Sequence, residues 1–310
     1  MAKAKFPKIP DWAIGLIVTA AVAGLFYARL DFLAVLDAKL FDLRMKILTS
    51  GPPDDRIAII AIDDDSIAKL GRWPWPRSRI AAAVDLLSKK GARVIGLTLL
   101  FSEPEESSGL VAVQALETEF LALNLGPAGA PFLDKIQQLK ADMGSDQKLA
   151  AALREAGSVI LPLGFALNPR PGQARAAAAG VAVPPEVEKS AFRSVEAETP
   201  EAARPFVADR ALWPLPPLMA AAAALGHTNK VPDPDGVARH EILAVEYAGK
   251  FYPSFALAAA ARFLGMPADK IGLVLGEGVD TPAGRIPADA NVRMLVNYYG
   301  RDGTLPRYSF

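Results

Sequence analysis

Three consecutive carboxylates, Asp63, Asp64 and Asp65, are the side chains of this sequence best suited to chemistry. Carboxylate oxygens are the ligands that Mg²⁺ and Ca²⁺ take, and the three follow an apolar run of strand length. Ligands in open α/β sheets bind at the carboxyl ends of strands, so a metal-dependent hydrolase is one function open to the chain. The structural alternative is that Asp65 or Ser66 caps the following helix and the other carboxylates are solvated.

A second group follows ten residues later, the pentad Trp73-Pro74-Trp75-Pro76-Arg77. Each proline fixes its own φ and moves the preceding residue out of the helical region, which predicts a stiff, extended lead into a helix. The two indole rings could line a ligand pocket, or only pack against the body of the protein. The guanidinium of Arg77 could pair with the acidic run or bind an anionic ligand.

Other catalytic signatures are missing from the sequence. The chain has no cysteine, which excludes disulfides, thiolate metal sites and cysteine nucleophiles. Its two histidines, His227 and His240, lack metal-ligand spacing, and neither a phosphate-binding loop nor a Gly-x-Ser-x-Gly elbow occurs. We therefore predict no catalytic residue, no metal site, no cofactor and no enzymatic activity for the residues present.

The balance of charges argues against nucleic acid as a partner. The 34 basic and 34 acidic residues balance, and no basic stripe with interleaved aromatic residues occurs, so nucleic-acid binding is disfavoured. The chain is 51% hydrophobic over 310 residues, which is ample for a large core.

The elements that must position these residues can be read from the apolar periodicity. The run Ile57 to Ile62 predicts a strand buried on both sides, and residues 77 to 90 predict a helix that is capped by Gly91. The run Val94 to Phe101 predicts a second strand. Strand, helix and strand in this order predict a βαβ unit whose two strands are parallel neighbours.

The rest of the chain continues the alternation of helices and strands. The predicted elements are helical insertions over residues 102 to 150, strands at Val159 to Phe165, Val237 to Tyr247 and Val292 to Tyr298, and an alanine-rich helix from Tyr252-Pro253-Ser254 to Gly265. Residues 168 to 205 are rich in Pro, Ala and Arg and predict a mobile surface excursion. The predicted fold class is α/β, with a largely parallel or mixed sheet flanked by helices.

The N-terminus predicts attachment to a membrane. Lysines at positions 3, 5 and 8 precede an uncharged stretch, so we predict a cytoplasmic segment at residues 1 to 11 and a transmembrane anchor at residues 12 to 29. A helical stalk over residues 30 to 50 joins it to a globular body at residues 51 to 310. A cleaved signal peptide and a buried soluble helix are the alternatives to an anchor.

Several motifs of this sequence occur together in one known family. They are Arg56-Ile57 to Ile62 with Asp63-Asp64-Asp65-Ser66, Leu70-Gly71-Arg72 with the tryptophan pentad, Gly91 to Gly96 with Leu100-Phe101, Leu225-Gly226-His227-Thr228-Asn229, Asp235-Gly236 with Arg239, and Tyr252-Pro253-Ser254 with Asn297-Tyr298. In this order they resemble the CHASE domain of type two, CHASE2, over roughly residues 30 to 310.

The resemblance implies a sensory input domain outside the cytoplasm of a bacterial membrane receptor. In such receptors an anchor precedes the sensor, and membrane helices and a cytoplasmic adenylate or guanylate cyclase, or a kinase, follow it. It thus implies an inner-membrane protein whose main domain is periplasmic or extracellular, and further chain beyond Phe310.

The residue patterns and the family resemblance together predict seven candidate ligand-binding residues: Asp63, Asp64, Trp73, Trp75, Arg77, His227 and Arg239. The expected partners are a membrane, an unknown small-molecule or protein ligand and a second copy of the chain. A non-enzymatic surface scaffold that assembles through residues 168 to 205 stays open as an alternative.

Overall fold

The computed structural model describes residues 10–27, 31–47, 51–105, 108–168, 171–172, 182–197, 203–300 and 303–310. The helices of these ranges are α1 (Asp11–Tyr27), α2 (Asp31–Ile47), α3 (Asp64–Leu70), α4 (Arg77–Lys89), α5 (Ser108–Ala122), α6 (Ala130–Met143), α7 (Ser145–Ala156), α8 (Pro185–Lys189), α9 (Pro216–Ala221) and α10 (Phe255–Leu264), with 3₁₀ turns at Gly126–Gly129 and Ala268–Lys270.

The strands are β1 (Ile59–Ala61), β2 (Ile95–Gly96), β3 (Val159–Leu167), β4 (Ser194–Glu196), β5 (Phe206–Leu212), β6 (Ala224–His227), β7 (His240–Ile242), β8 (Ala244–Tyr247), β9 (Lys250–Pro253), β10 (Gly272–Val274), β11 (Gly278–Thr281), β12 (Gly284–Pro287), β13 (Arg293–Leu295) and β14 (Arg307–Ser309). Helices and mixed sheets alternate along the chain, so the predicted α/β class is confirmed.

The chain divides into two compact units. The smaller unit contains residues 1–61, 232–237 and 297–310, and the larger contains residues 62–231 and 238–296. The helices α1 and α2 and the strands β1 and β14 belong to the smaller unit, and the other elements belong to the larger one.

The first predicted strand lies in the smaller unit and is not part of a βαβ unit. Strand β1 pairs in parallel with β14, with Ile59 opposite Arg307 and Ala61 opposite Ser309. Ile59 and Ile60 are 45% and 40% exposed. The predictions of a strand buried on both sides and of a β1–β2 pair were therefore wrong, because β1 finds its partner at the far end of the chain.

The first helix is apolar but short. At 1.5 Å per residue the 17 residues of α1 extend about 25 Å, while the hydrocarbon core of a bilayer is about 30 Å thick. Within the part of the chain that the structure describes, no helix combines the length and the hydropathy needed to cross a membrane. The predicted transmembrane anchor at residues 12 to 29 is not supported, and Lys3, Lys5 and Lys8 lie outside the described residues.

The main sheet of the larger unit is organised around β3. The first half of β3 pairs in parallel with β2 on one side and with β6 on the other, and its second half pairs antiparallel with β5. Strands β8 and β9 extend the sheet beyond β5. Val159, Ile160, Leu161 and Leu163 of β3 are fully buried, as its continuous apolar sequence predicts.

A second sheet has the strand order β12-β11-β10-β4, and β7 pairs antiparallel with β13. Strand β4 pairs in parallel with β10 and, like α8, lies inside the segment predicted to be a mobile excursion. Residues 182–197 of that segment are thus ordered elements of the fold, and residues 173–181 and 198–202 lie outside the described residues. The apolar run from Val94 forms a strand only at Ile95–Gly96.

Five helices lie where the sequence predicts them. Helix α4 begins at Arg77 after Pro76, as predicted, and packs against α7 through side chains such as Val84 and Leu153. Helix α10 begins after Ser254, whose hydroxyl accepts the Leu257 N–H at 3.1 Å, and ends at Gly265 in the left-handed conformation. The predicted insertion over residues 102 to 150 is helical, as α5, α6 and α7.

Candidate functional site

The acidic run forms a helix cap. The Asp63 carboxylate accepts the Ser66 N–H at 3.0 Å, and the Asp63 N–H donates to the Ser66 hydroxyl at 2.9 Å, which is a capping box at the start of α3. Asp64 and Asp65 are exposed in the first turn of α3, where negative charges interact favourably with the helix dipole and stabilise the helix. The cap is Asp63, not Asp65 or Ser66 as predicted. No group of three His, Cys, Asp or Glu side chains among the described residues is placed to hold a metal ion.

The two tryptophans of the pentad pack against each other. Their rings meet edge to face with centroids 5.4 Å apart, and Trp75 is only 5% exposed. The Trp75 indole donates to the Gly71 carbonyl at 2.7 Å, and the guanidinium of Arg79 lies 5.6 Å from the centre of the Trp75 ring. The pentad therefore closes the loop between α3 and α4.

Arg77 joins three segments of the larger unit. Its guanidinium pairs with the Asp146 carboxylate at the start of α7 and donates to the carbonyl of Glu103, and it lies 5.0 Å from the centre of the Phe101 ring. The backbone N–H of Arg77 donates to the Glu105 carboxylate at 2.7 Å. Arg77 therefore pairs with Asp146, and not with the acidic run Asp63 to Asp65 that the sequence suggested as its partner.

His227 lies at the end of β6 inside the core. It is fully buried, and the centres of its ring and of the Phe165 ring lie 6.2 Å apart in an edge-to-face arrangement. Neither ring nitrogen of His227 has a hydrogen-bond partner among the described residues. Burial lowers the pKa of His227 to about 3, so the ring is neutral at pH 7 and a proton on it would oppose folding. Burial likewise raises the pKa of the neighbouring Tyr252 to about 12.

The residues on either side of His227 explain the rest of its motif. Gly226 lets β6 approach α10, because a Cβ at this position would lie 2.6 Å from the Phe255 Cα. The Asn229 side chain accepts the Phe165 N–H at 3.1 Å and donates to the Phe165 carbonyl at 2.6 Å, which continues the ladder of β3 with a side chain. The Gly-His-Thr-Asn motif therefore packs β6 closely against α10 and adds hydrogen bonds to β3.

Arg239, the last of the predicted residues, precedes β7. It is 2% exposed, and its carbonyl accepts the Val296 N–H at 2.8 Å next to β13. The seven residues are thus placed at the α3–α4 corner, at the end of β6 and before β7. Ligand binding by them stays a prediction.

The larger unit also contains a cavity that the sequence did not reveal. It measures about 510 Å³ and lies among α8, α9, the start of β6, α10 and the 3₁₀ turn Ala268–Lys270. Eight of its twenty lining residues are alanines, and the apolar side chains include Met219, Leu225 and Met266. Small-molecule sites in proteins are mostly apolar and measure about 300–1,000 Å³, so this cavity has the size and lining of a ligand site.

Four polar residues complete the lining of the cavity: Glu186, Lys189, Ser190 and Arg262. The Ser190 hydroxyl donates to the Val187 carbonyl at 2.6 Å, and the Arg262 guanidinium donates to the Gly157 carbonyl at 2.8 Å. No ion pair joins Lys189 to a carboxylate anywhere in the described ranges. The only hint in the sequence was the density of alanines around α9 and in α10, which by itself predicts no cavity.

Comparison with known proteins gives one match. A family model described as the CHASE2 domain matches residues 17–310, which is almost the whole chain. No curated protein and no solved structure matches the chain.

Proposed function

The chain belongs to the CHASE2 domain family, whose members are extracellular sensor domains rather than catalysts, and from this premise we propose that it is the input domain of a bacterial transmembrane receptor. The observation that carries the proposal is the match over residues 17–310. The proposed output is an adenylate or guanylate cyclase, with a kinase as the second choice. Asp63 is engaged as the cap of α3, and this structural role supports an input domain better than a metal-dependent hydrolase.

We propose that α1 associates with lipid. Successive helical residues point about 100° apart, and Leu16, Ile17 and Val18 are 64%, 59% and 55% exposed, so apolar side chains are exposed in three directions. A helix that is apolar all round is stable only inside a protein core or a membrane. A lipid environment would cover these side chains and hold the sensor at the cell membrane, with the α/β body outside the cytoplasm.

We further propose that α2 pairs with α2 of a second copy. Leu36, Leu40, Leu43 and Ile47 are 50%, 50%, 52% and 69% exposed, and their spacing of four, three and four residues is that of a coiled-coil seam. A strict period of 3.5 favours another helix over lipid as the covering partner, because lipid imposes no such period. If two copies pair along this seam, a conformational change in the sensor would change how their two α2 helices pack against each other.

An insertion series in α2 tests this coupling. We consider the chain joined to the membrane helices and cyclase domain of a CHASE2 receptor. One residue inserted after Asp37 turns the rest of α2 by about 100° and breaks the seam, so basal cyclic AMP production is expected to change by at least about fivefold. Duplication of Leu36–Asp42, a whole heptad, is expected to restore the wild-type level. Equal production in all three proteins would contradict coupling through α2.

A further inference from the structure

The cavity among α8, α9 and α10 carries an inference that rests on the proposed sensor role and deepens it. We propose that this cavity binds an amphipathic monoanion, an apolar body with one carboxylate, and that Lys189 and Arg262 hold the carboxylate.

Small side chains form a large part of the cavity wall. Helix α10 lines it with Ala258 and Ala261, the segment after α9 with Ala222 and Ala223, and the 3₁₀ turn with Ala268. Lys189, Arg262 and Ala268 of the lining are exposed, so the cavity of about 510 Å³ is open to solvent and a ligand can enter it directly. The apolar lining gains free energy when a hydrocarbon body displaces water from it.

The charged residues of the lining decide the sign of the ligand. Lys189 and Arg262 contribute two positive charges and Glu186 one negative charge, so the lining is net positive. Arg262 donates a hydrogen bond to a backbone carbonyl, and neither Arg262 nor Lys189 forms an ion pair with a carboxylate in the described ranges. A carboxylate would pair with these cations by charge-assisted hydrogen bonds, whereas an ammonium group would meet net repulsion.

The neighbouring charges do not cancel this preference. Glu188, next in sequence to Lys189, pairs with Lys250 at 3.0 Å and does not line the cavity. Asp269 and Lys270, in the 3₁₀ turn, are also absent from the lining. Lys189 and Arg262 are therefore the cations available to a ligand in the cavity.

Isothermal titration of the full chain with octanoate, octanol and octylammonium tests the proposal, because the three probes share one tail and differ in charge. Octanoate is expected to bind at least tenfold more tightly than octylammonium. Affinity is expected to rise roughly threefold to fourfold for each methylene added from hexanoate to decanoate, as buried hydrocarbon requires. Equal affinity for octanoate and octylammonium would overturn the assignment of an anion.

Two pairs of variants locate the binding. Lys189→Glu makes the lining net negative and is expected to weaken octanoate binding at least tenfold and to reverse the preference towards octylammonium. Lys90→Glu makes the same charge change at the end of α4 and is the control. Ala261→Leu fills the cavity, and Ala260→Leu makes the same change at an exposed position of α10 outside the lining.

The outcomes separate this inference from the sensor role. Loss of octanoate binding in Lys189→Glu and Ala261→Leu, with both controls within twofold of wild type, supports the cavity. Binding unchanged by both cavity variants places the probe elsewhere and overturns the proposal. Ala268→Trp, at the exposed 3₁₀ turn, replaces Ala261→Leu if that variant does not fold. An absence of octanoate binding overturns the ligand class but leaves the location of the domain, which is measured separately, untouched.

Discussion

Replacing Gly226 with alanine is expected to lower the free energy of unfolding of the larger unit by about 3 kcal/mol. The new Cβ would lie 2.6 Å from the Phe255 Cα and 2.8 Å from both the Phe255 N and the Ser254 O. All three are backbone atoms, so no side chain can rotate away and β6 must separate from α10. Urea unfolding followed by tryptophan fluorescence measures the change, because Trp73, Trp75 and Trp213 lie in the larger unit.

The matched control is Gly272→Ala in β10 of the same unit. A Cβ there meets its nearest atoms, in the Ser194 side chain, at 3.7 Å, which is ordinary contact. We expect this substitution to change the free energy of unfolding by less than about 1 kcal/mol. Similar losses in the two variants would mean that close approach of β6 and α10 is not what requires glycine at position 226.

The second large effect is expected at Arg77. The side chains of Arg77 and Asp146 are 13% and 16% exposed, so removing the guanidinium leaves a largely buried carboxylate whose remaining hydrogen bond, among the described residues, is from the Glu105 N–H at 3.1 Å. Breaking a buried ion pair from one side costs about 3–5 kcal/mol, and we expect Arg77→Ala to lower the free energy of unfolding by about 3 kcal/mol. The same urea experiment measures it.

Arg72→Ala is the control, since Arg72 is an exposed arginine of the same loop, and its effect is expected to stay within about 0.5 kcal/mol. In a double-mutant cycle, Asp146→Ala should cost much less in the Arg77→Ala background than in wild type, because the pair acts as a unit. Additive losses would contradict the view that Arg77 acts through Asp146.

Elements whose signals lie close together in the chain could be predicted from the sequence. Local signals were sufficient for α10, where Ser254 and Gly265 are the caps that the residues predict, and for α4 after Pro76. The continuous apolar run of β3 was also recognisable, because burial on both faces leaves no polar alternation. Each of these predictions depends on residues close together in the chain.

Long-range pairings could not be predicted in this way. The strand β1 has the composition of a core strand, but it pairs with β14 at the far end of the chain, and no local pattern encodes that register. Arg77 meets a carboxylate 69 positions away, and the nearby acidic run was the wrong partner to expect. The cavity could not be predicted for a further reason. It depends on the volume that the side chains of several elements leave unfilled, and no sequence motif indicates such a volume.

The motifs that carry the family resemblance have structural roles here. The acidic run caps α3, the pentad closes the α3–α4 loop and the Gly-His-Thr-Asn motif fastens β6. Such motifs identify the fold without identifying the ligand.

Cysteine labelling in intact cells determines on which side of the membrane the α/β body lies, and so tests the proposed sensor role. Because the chain contains no cysteine, Ala260→Cys places a single thiol on the exposed face of α10. Leu153→Cys, at a fully buried position, controls for labelling that does not require exposure. We expect a membrane-impermeant maleimide to label the Ala260→Cys protein in intact cells, and we expect the labelled protein to be recovered with the membrane fraction. Labelling only after the cells are broken would place the domain in the cytoplasm and contradict the proposed role as an extracytoplasmic sensor.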